Sequence, residues 1–154
     1  MRALIFSDTH GDISLCEKAI TALAPIDMII HLGDSVFDAA AIAKSHRDIE
    51  CCRVCGNCDG AAGKMKAVVD VGDWKIFICH GHLHSEAELV SEAKKNGCFA
   101  ALCGHTHIKS DKVVDGVRIV NPGSASRPRD AARSFAIFET SGRQGADFVL
   151  VDWM

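Results

Sequence analysis

No apolar stretch in the 154 residues approaches the length of a membrane span. Positive charge is not in surplus either. The chain has 17 Lys and Arg against 20 Asp and Glu, giving a net charge of −3 and a pI near 6.2. A nucleic-acid or anionic-membrane surface needs a basic patch, so neither partner is expected. A small phosphorylated molecule stays admissible, because bound cations can supply local positive charge. Two nucleophile and nucleotide signatures are missing. There is no G-x-x-x-x-G-K-[ST] loop to cradle nucleotide phosphates and no G-x-S-x-G elbow for serine-esterase chemistry. Internal repeats, low-complexity segments and long linkers are also missing, so residues 1–154 are expected to form one domain. Met1–Phe6 is apolar for the most part, but Ser7, Asp8 and His10 end the run before it makes a signal-peptide core. The eight cysteines then read as mostly free, buried thiols in a reducing cytoplasm.

What is present is a set of short apolar runs. Ala3–Phe6, Met28–Leu32 and Ile49–Val54 read as strands, the first two without polar alternation and therefore buried on both faces. Ser14–Leu23 and Val36–Lys44 carry helical spacing between them, which makes β-α-β-α-β and a parallel sheet. After the link Asp59–Lys64 the chain turns strand-rich: Lys66–Val71, Trp74–Cys79, Phe99–Cys103, Lys112–Val114, Val117–Val120, Ser134–Glu139 and Asp147–Val151. One helix interrupts them at Glu86–Lys95, closed by Asn96-Gly97. Gly72-Asp73 and Asp115-Gly116 read as hairpin turns. The expected fold class is α/β, with two sheets packed together and helices outside.

Five polar clusters sit where apolar strands run out. They are Asp8-Thr9-His10, Gly33-Asp34, Gly56-Asn57-Cys58-Asp59, His80-Gly81-His82 and Gly104-His105-Thr106-His107. Each has a bland reading: Asp8 and Asp34 as caps of the helices that follow, Asn57 and Asp59 as turn residues. The density argues otherwise. Histidines 80, 82, 84, 105 and 107 crowd two strand ends, and Asp8 and His10 crowd a third. Residues i and i+2 of an extended segment point the same way, so such a pair reaches one ion. Mixed oxygen and nitrogen ligation without thiolate suits Mn, Fe or Zn better than calcium. Two ions about 3.5–4 Å apart, bridged by one carboxylate, clamp an in-line displacement at phosphorus and lower the pKa of a water. Asp34, at the end of a central strand, is the expected bridge.

In this order the clusters D-x-H, GD, GN-x-[DE], H and GH-x-H resemble the calcineurin-like metallophosphoesterase superfamily, from Asp8 to His107. The short chain and Asn121-Pro122-Gly123-Ser124 resemble its small phosphodiesterase branch, which also includes a retromer scaffold subunit. The resemblance implies two packed mixed β-sheets flanked by helices, an α/β/β/α sandwich. It also implies one ion held by Asp8, His10, Asp34 and His107, and a second held by Asp34, Asn57, His80 and His105. The ions would be Mn2+ first, with Zn2+, Fe or Ni2+ as alternatives. Attack of a metal-bridging hydroxide on a small phosphodiester would rest on Asp34, Asn57, His80 and His82, the last contacting the phosphate or orienting a ligand. Cys58 stands where many members have a histidine that protonates the leaving group, which favours a diesterase over a monoesterase. A metal-binding scaffold with little catalysis is the alternative, and a metal-dependent hydrolase of another ester or amide shares the same ligands. All seven ligand positions carry competent residues, which favours the enzyme.

Several features read as structural. Cys52-x2-Cys55-x2-Cys58 reads as core thiols rather than a cluster site, since Cys51 and Cys52 face opposite sides of a strand. Cys79 and Cys103 read the same way. His31 reads as a satisfied core histidine, and His46 as a solvated helix-end charge. Asn121–Ser124 reads as a tight turn bracing the histidine loop, with Arg127 or Arg129 facing substrate or an acidic neighbour. Trp153-Met154 leaves a homo-oligomer open.

Overall fold

The computed structural model describes residues 1–154. Sheet A has the order β10-β9-β1-β2-β3, and sheet B the order β4-β5-β6-β8-β7. In sheet A, β1 (Arg2–Phe6), β2 (Met28–His31) and β3 (Glu50–Arg53) run parallel, joined through α1 (Ser14–Leu23) and α2 (Val36–Ser45). Antiparallel β9 (Arg133–Thr140) and β10 (Ala146–Trp153) complete it. Sheet B has a parallel centre of β5 (Trp74–Cys79), β6 (Ala100–Leu102) and β8 (Val117–Pro122), edged by antiparallel β4 (Lys66–Val71) and β7 (Lys109–Val114).

The layers follow from where the apolar side chains point. Ala3, Ile5, Met28 and Ile30 face Ile76, Ile78, Leu102 and Val120 across the seam between the sheets. The alternate residues Leu4, Phe6 and Ile29 pack on Leu15, Cys16, Ala19 and Ile20 of α1 and Ile42 of α2. Phe77, Ala101 and Ile119 pack on Leu89, Val90 and Ala93 of α3 (Glu86–Lys95). The order is therefore helix, sheet, sheet, helix, and β1 and β2 are buried on both faces as their unbroken apolar runs require. Ser85 and Glu88 form a capping box at the start of α3. At its end the N–H of Gly97 bonds to Lys94 and that of Cys98 to Ala93, a Schellman stop at the expected Asn96-Gly97.

Three expectations are corrected. Asn121 and Pro122 finish β8 rather than make a turn. Only Gly123, at φ +78°, bends the chain, and a Cβ there would strike the Ser134 hydroxyl. β7 begins three residues earlier than its apolar run, because Lys109–Asp111 pair with Val120–Pro122 at an edge where polar side chains meet water. His46 is not a free solvated charge, for its Nε2 lies 2.8 Å from Glu17 of α1. At the chain end Trp153 packs on Phe135 with centroids 6.2 Å apart, while Met154 is exposed.

Candidate metal centre

The parallel strands of both sheets finish at one rim, the edge where sheets of this kind bind ligands. There the chain brings together all seven expected ligand residues. Asp8 and His10 follow β1, Asp34 follows β2, Asn57 follows β3, His80 follows β5, and His105 and His107 follow β6. Neither carboxylate is a helix cap. The residue before α1 is Ile13 and that before α2 is Ser35, and neither gives a side-chain cap bond. Instead Asp59 reaches across, accepting from the N–H groups of Asp34 (2.9 Å), Val36 (2.7 Å) and Gly56 (2.7 Å). The Asp59 carboxylate thus caps α2 and ties the β3 turn to the β2 turn.

The backbone at the rim is unusual. Six non-glycine residues have positive φ, and five are Asp8, His10, Asp34, His105 and His107; the sixth, Asp115, is in the β7–β8 hairpin. A left-handed conformation costs an L-residue about 1 kcal/mol or more, and such costs concentrate at functional sites. Packing enforces it. The loops interlock through Asp8 N–H to Gly33 O (3.0 Å), His10 N–H to Asp34 O (3.1 Å) and Gly104 N–H to His80 O (2.8 Å). Gly56 and Gly104 permit the approach: a Cβ on Gly104 would collide with Ser7 and Asp8, and one on Gly56 with the Asp34 carboxylate.

Each carboxylate has one oxygen pinned and one presented. Asp8 Oδ2 accepts from the Ser7 hydroxyl (2.6 Å) and the His105 N–H (3.1 Å), whereas the buried Oδ1 has no hydrogen-bond partner. Asp34 Oδ1 accepts from the Cys58 N–H (2.9 Å). Burial alone raises the Asp34 carboxyl. The Cys58 N–H and the imidazoles of His80 and His10 outweigh it and hold the group below the ordinary range.

The imidazoles are equally constrained. Nδ1 of His80 lies 2.8 Å from Leu32 O, and Nδ1 of His107 lies 2.6 Å from Arg127 O. A carbonyl only accepts, so in both rings Nδ1 carries a proton, and in the neutral imidazole Nε2 presents a lone pair. His107 Nε2 then faces Asp8 Oδ1 at 3.1 Å and His10 Nε2 at 3.2 Å. His80 Nε2 faces Asn57 Oδ1 at 3.1 Å, Asp34 Oδ2 at 3.4 Å and Asp8 Oδ1 at 3.7 Å. His105 turns its Nδ1 to the same Asn57 oxygen, at 3.0 Å. Burial, ahead of the nearby carboxylates, pushes the His10 imidazole down.

Acceptors facing acceptors, around two carboxylates that are 0% and 2% exposed, form an arrangement that costs several kcal/mol unless a cation sits among them. The donors therefore fit divalent ions. Asp8, His10 and His107 make one group of mutually close ligand atoms, and Asp8, Asp34 and His80 another. Asp34 Oδ2 lies 3.9 Å from His10 Nε2 and 3.4 Å from His80 Nε2, and Asp8 Oδ1 lies 3.9 and 3.7 Å from the same two atoms.

A cleft of about 330 Å3 opens onto these atoms, lined by His10, Asp34, Asn57, Cys58, His105, His107, Arg127 and Arg129. Cys58 is not a core thiol. It is exposed at the mouth, held as a neutral thiol by its hydrogen bond to Asp34 and then by burial. Cys55 is buried, and Cys51 and Cys52 do face opposite cores. Cys79 is buried and Cys103 half-buried. His31 is a satisfied core residue, 3.1 Å from the Thr9 hydroxyl and accepting from the Gly33 N–H. His82 stands beside the ligands, its ring centroid 5.4 Å from that of His80 and 6.0 Å from that of His105. His84 packs edge-on against Phe77. A wider groove of about 750 Å3 lies at the opposite rim around Met1 and Arg2, where the Arg2–Glu139 ion pair closes on itself and no ligand atoms converge. No helix is long and apolar enough to cross a membrane.

Two mixed five-stranded sheets between helices, with a rim of Asp, His and Asn donors, define the metallophosphoesterase architecture. The chain belongs to the calcineurin-like phosphoesterase superfamily, whose domain model matches residues 1–143. It is 35% identical over 135 residues to "Probable metallophosphoesterase YsnB" of Bacillus subtilis, covering 84% of this chain and 78% of that one. It is 28% identical over 170 residues to "Phosphodiesterase MJ0936" of Methanocaldococcus jannaschii, covering 97% and 99%. Among solved structures, Vps29 complexed with Zn+2 from Entamoeba histolytica superposes with a TM-score of 0.75 at 20% identity over 99% of each chain. At that identity the likeness concerns the fold. The chain is a metallophosphoesterase.

Proposed function

We propose that this metallophosphoesterase hydrolyses a small phosphodiester at a dinuclear centre, one ion held by Asp8, His10, Asp34 and His107 and the other by Asp34, Asn57, His80 and His105. The observation that carries the reading is the convergence of His80 Nε2, His107 Nε2 and Asn57 Oδ1 on the buried carboxylates of Asp8 and Asp34. When bound, the ions supply a water of lowered pKa as nucleophile and neutralise charge on the phosphoryl oxygens. The chain's own groups do the rest. The pinned Nδ1 atoms of His80 and His107 fix ring orientation, the Cys58 N–H holds the Asp34 carboxylate, and Ser7 holds that of Asp8. Cys58, a neutral thiol, lacks an imidazole's capacity to protonate a poor leaving group, so esters with good leaving groups are the natural substrates. For this mixed oxygen and nitrogen set Mn2+ is the first candidate ion, with Zn2+, Fe or Ni2+ as alternatives. A cytoplasmic setting suits eight free thiols.

The same Cys58 favours a second reading, a scaffold that binds metal and partners with little turnover, in keeping with the fold shared with Vps29. One experiment separates them. The protein is stripped with chelator, reloaded with Mn2+ and offered bis(p-nitrophenyl) phosphate and p-nitrophenyl phosphate, beside Asp34→Asn. Metal-dependent diester hydrolysis that vanishes in Asp34→Asn is expected. Metal binding without turnover of either ester would leave the scaffold.

A further inference from the structure

We infer that Arg127 and Arg129 form an anion subsite beside the metal centre, so that the substrate is a diester carrying a further phosphate on one arm. The inference rests on the diesterase reading above and extends it to substrate class.

Both residues line the cleft that opens onto the ligand atoms. Arg2, Arg118 and Arg133 are tied to Glu139, to Asp111 and Asp147, and to Asp12; the two cleft arginines form no ion pair, as is also true of Arg47 and Arg53, but only Arg127 and Arg129 stand beside the ligand atoms. The carboxylate adjoining them in sequence, Asp130, is turned away. Its Oδ2 accepts from the Lys109 N–H at 2.8 Å and lies 3.2 Å from Lys109 Nζ.

The segment that carries them is fixed against the ligand loops. Arg127 O accepts the His107 Nδ1–H at 2.6 Å, and the Arg129 N–H donates to His107 O at 3.0 Å. The Arg127 N–H donates to Ser124 Oγ at 2.8 Å, and the hydroxyls of Ser124 and Ser126 donate to Asp8 O at 2.8 and 3.0 Å. Pro128, whose ring fixes φ, separates the two arginines. The backbone that carries the two arginines is thus fixed beside the ligand loops, and their exposed, unpaired guanidiniums are free to close on an anion such as phosphate.

Charge balance says what they await. Two divalent ions against Asp8 and Asp34 leave two positive charges, which a hydroxide and a diester monoanion cancel. The guanidiniums then remain in excess in a chain that is acidic overall. A second phosphate, about dianionic at neutral pH, cancels them.

The test uses a matched chromogenic pair on the Mn2+-loaded protein: thymidine 5′-(p-nitrophenyl phosphate) and the same ester phosphorylated at the 3′-oxygen. The 3′-phosphate should raise kcat/KM by about tenfold or more, and Arg127→Gln/Arg129→Gln should bring the ratio near one. Calorimetry should give the same preference for thymidine 3′,5′-bisphosphate over thymidine 5′-monophosphate, with no turnover involved. Arg143→Gln, which removes a charge from the exposed turn after β9, should leave both ratios as they were. Turnover of both esters with a ratio near one, or a preference that survives in the double variant, overturns the subsite. Preference in calorimetry without turnover of either ester leaves the subsite standing and removes the diesterase reading.

Discussion

Asp59 offers the sharpest test of how the centre is held. Its carboxylate receives three backbone N–H groups, from Asp34, Val36 and Gly56, at 2.7 to 2.9 Å. Hydrogen bonds to charged groups contribute about 1.5–3 kcal/mol each when buried. Asp59 is half-buried, so water can replace part of each bond, and about 1 kcal/mol apiece is the working figure. Asp59→Ala should therefore destabilise the fold by about 3 kcal/mol, and Asp59→Asn by about half that. The amide oxygen can keep the two bonds made by Oδ2, while its NH2 opposes the Val36 N–H. For a chain of this length 3 kcal/mol corresponds to about 6–12 °C in Tm. Metal affinity should fall about 10- to 100-fold, because the Asp34 backbone loses its anchor. The assays are urea denaturation of the chelated protein and titration with Mn2+. If Asp59→Ala unfolds within about 0.5 kcal/mol of the parent, in the range of an ordinary surface change, the carboxylate does not hold these loops and the reasoning fails.

Three further outcomes follow from the same geometry. Gly104→Ala should cost about 1–3 kcal/mol and weaken Mn2+ binding, since its Cβ would enter the space of Ser7 and the Asp8 carboxylate; a parent-like metal titration would contradict that contact. Burial lowers His31 from 6.5 to about 4, so the unfolded chain takes up that proton first as pH falls. Stability from this residue is complete above pH 6.5 and declines towards pH 4, by about 2 kcal/mol between pH 7 and 5. His31→Gln should flatten that part of the curve in the chelated protein, and an unchanged slope would count against a neutral buried imidazole. Cys58→His should raise hydrolysis of p-nitrophenyl phosphate at least about tenfold relative to the diester, by restoring a proton donor at the cleft mouth; no gain would mean the mouth does not contact the leaving group.

The elements themselves were legible because their signals are local. Unbroken apolar runs marked β1 and β2, and Asn96-Gly97 marked the end of α3. The seven donors were legible because they fall at strand ends, where a side chain has little packing to do. What lay outside reach depended on distant partners. The role of Asp59 needs α2 and the β3 turn to meet, and the freedom of Arg127 and Arg129 needs Asp130 to turn towards Lys109. The position of Cys58 shows the same limit. A thiol five residues beyond the end of β3 looks apolar in sequence, yet the turn that presents Asn57 carries Cys58 to the surface. His46 looked solvated because Glu17 lies on another helix.

The two sheets contribute to the rim unequally but jointly: Asp8, His10, Asp34 and Asn57 come from one, His80, His105 and His107 from the other. Between the sheets lies only side-chain packing, which can slip by small steps, whereas a coordinated ion tolerates almost none. An ion bound at this seam acts as a rivet through two plates. Metal loading should then merge sub-global openings of either sheet into one event, and amides of β5 and β6 should gain hydrogen-exchange protection together with those of β1 and β2.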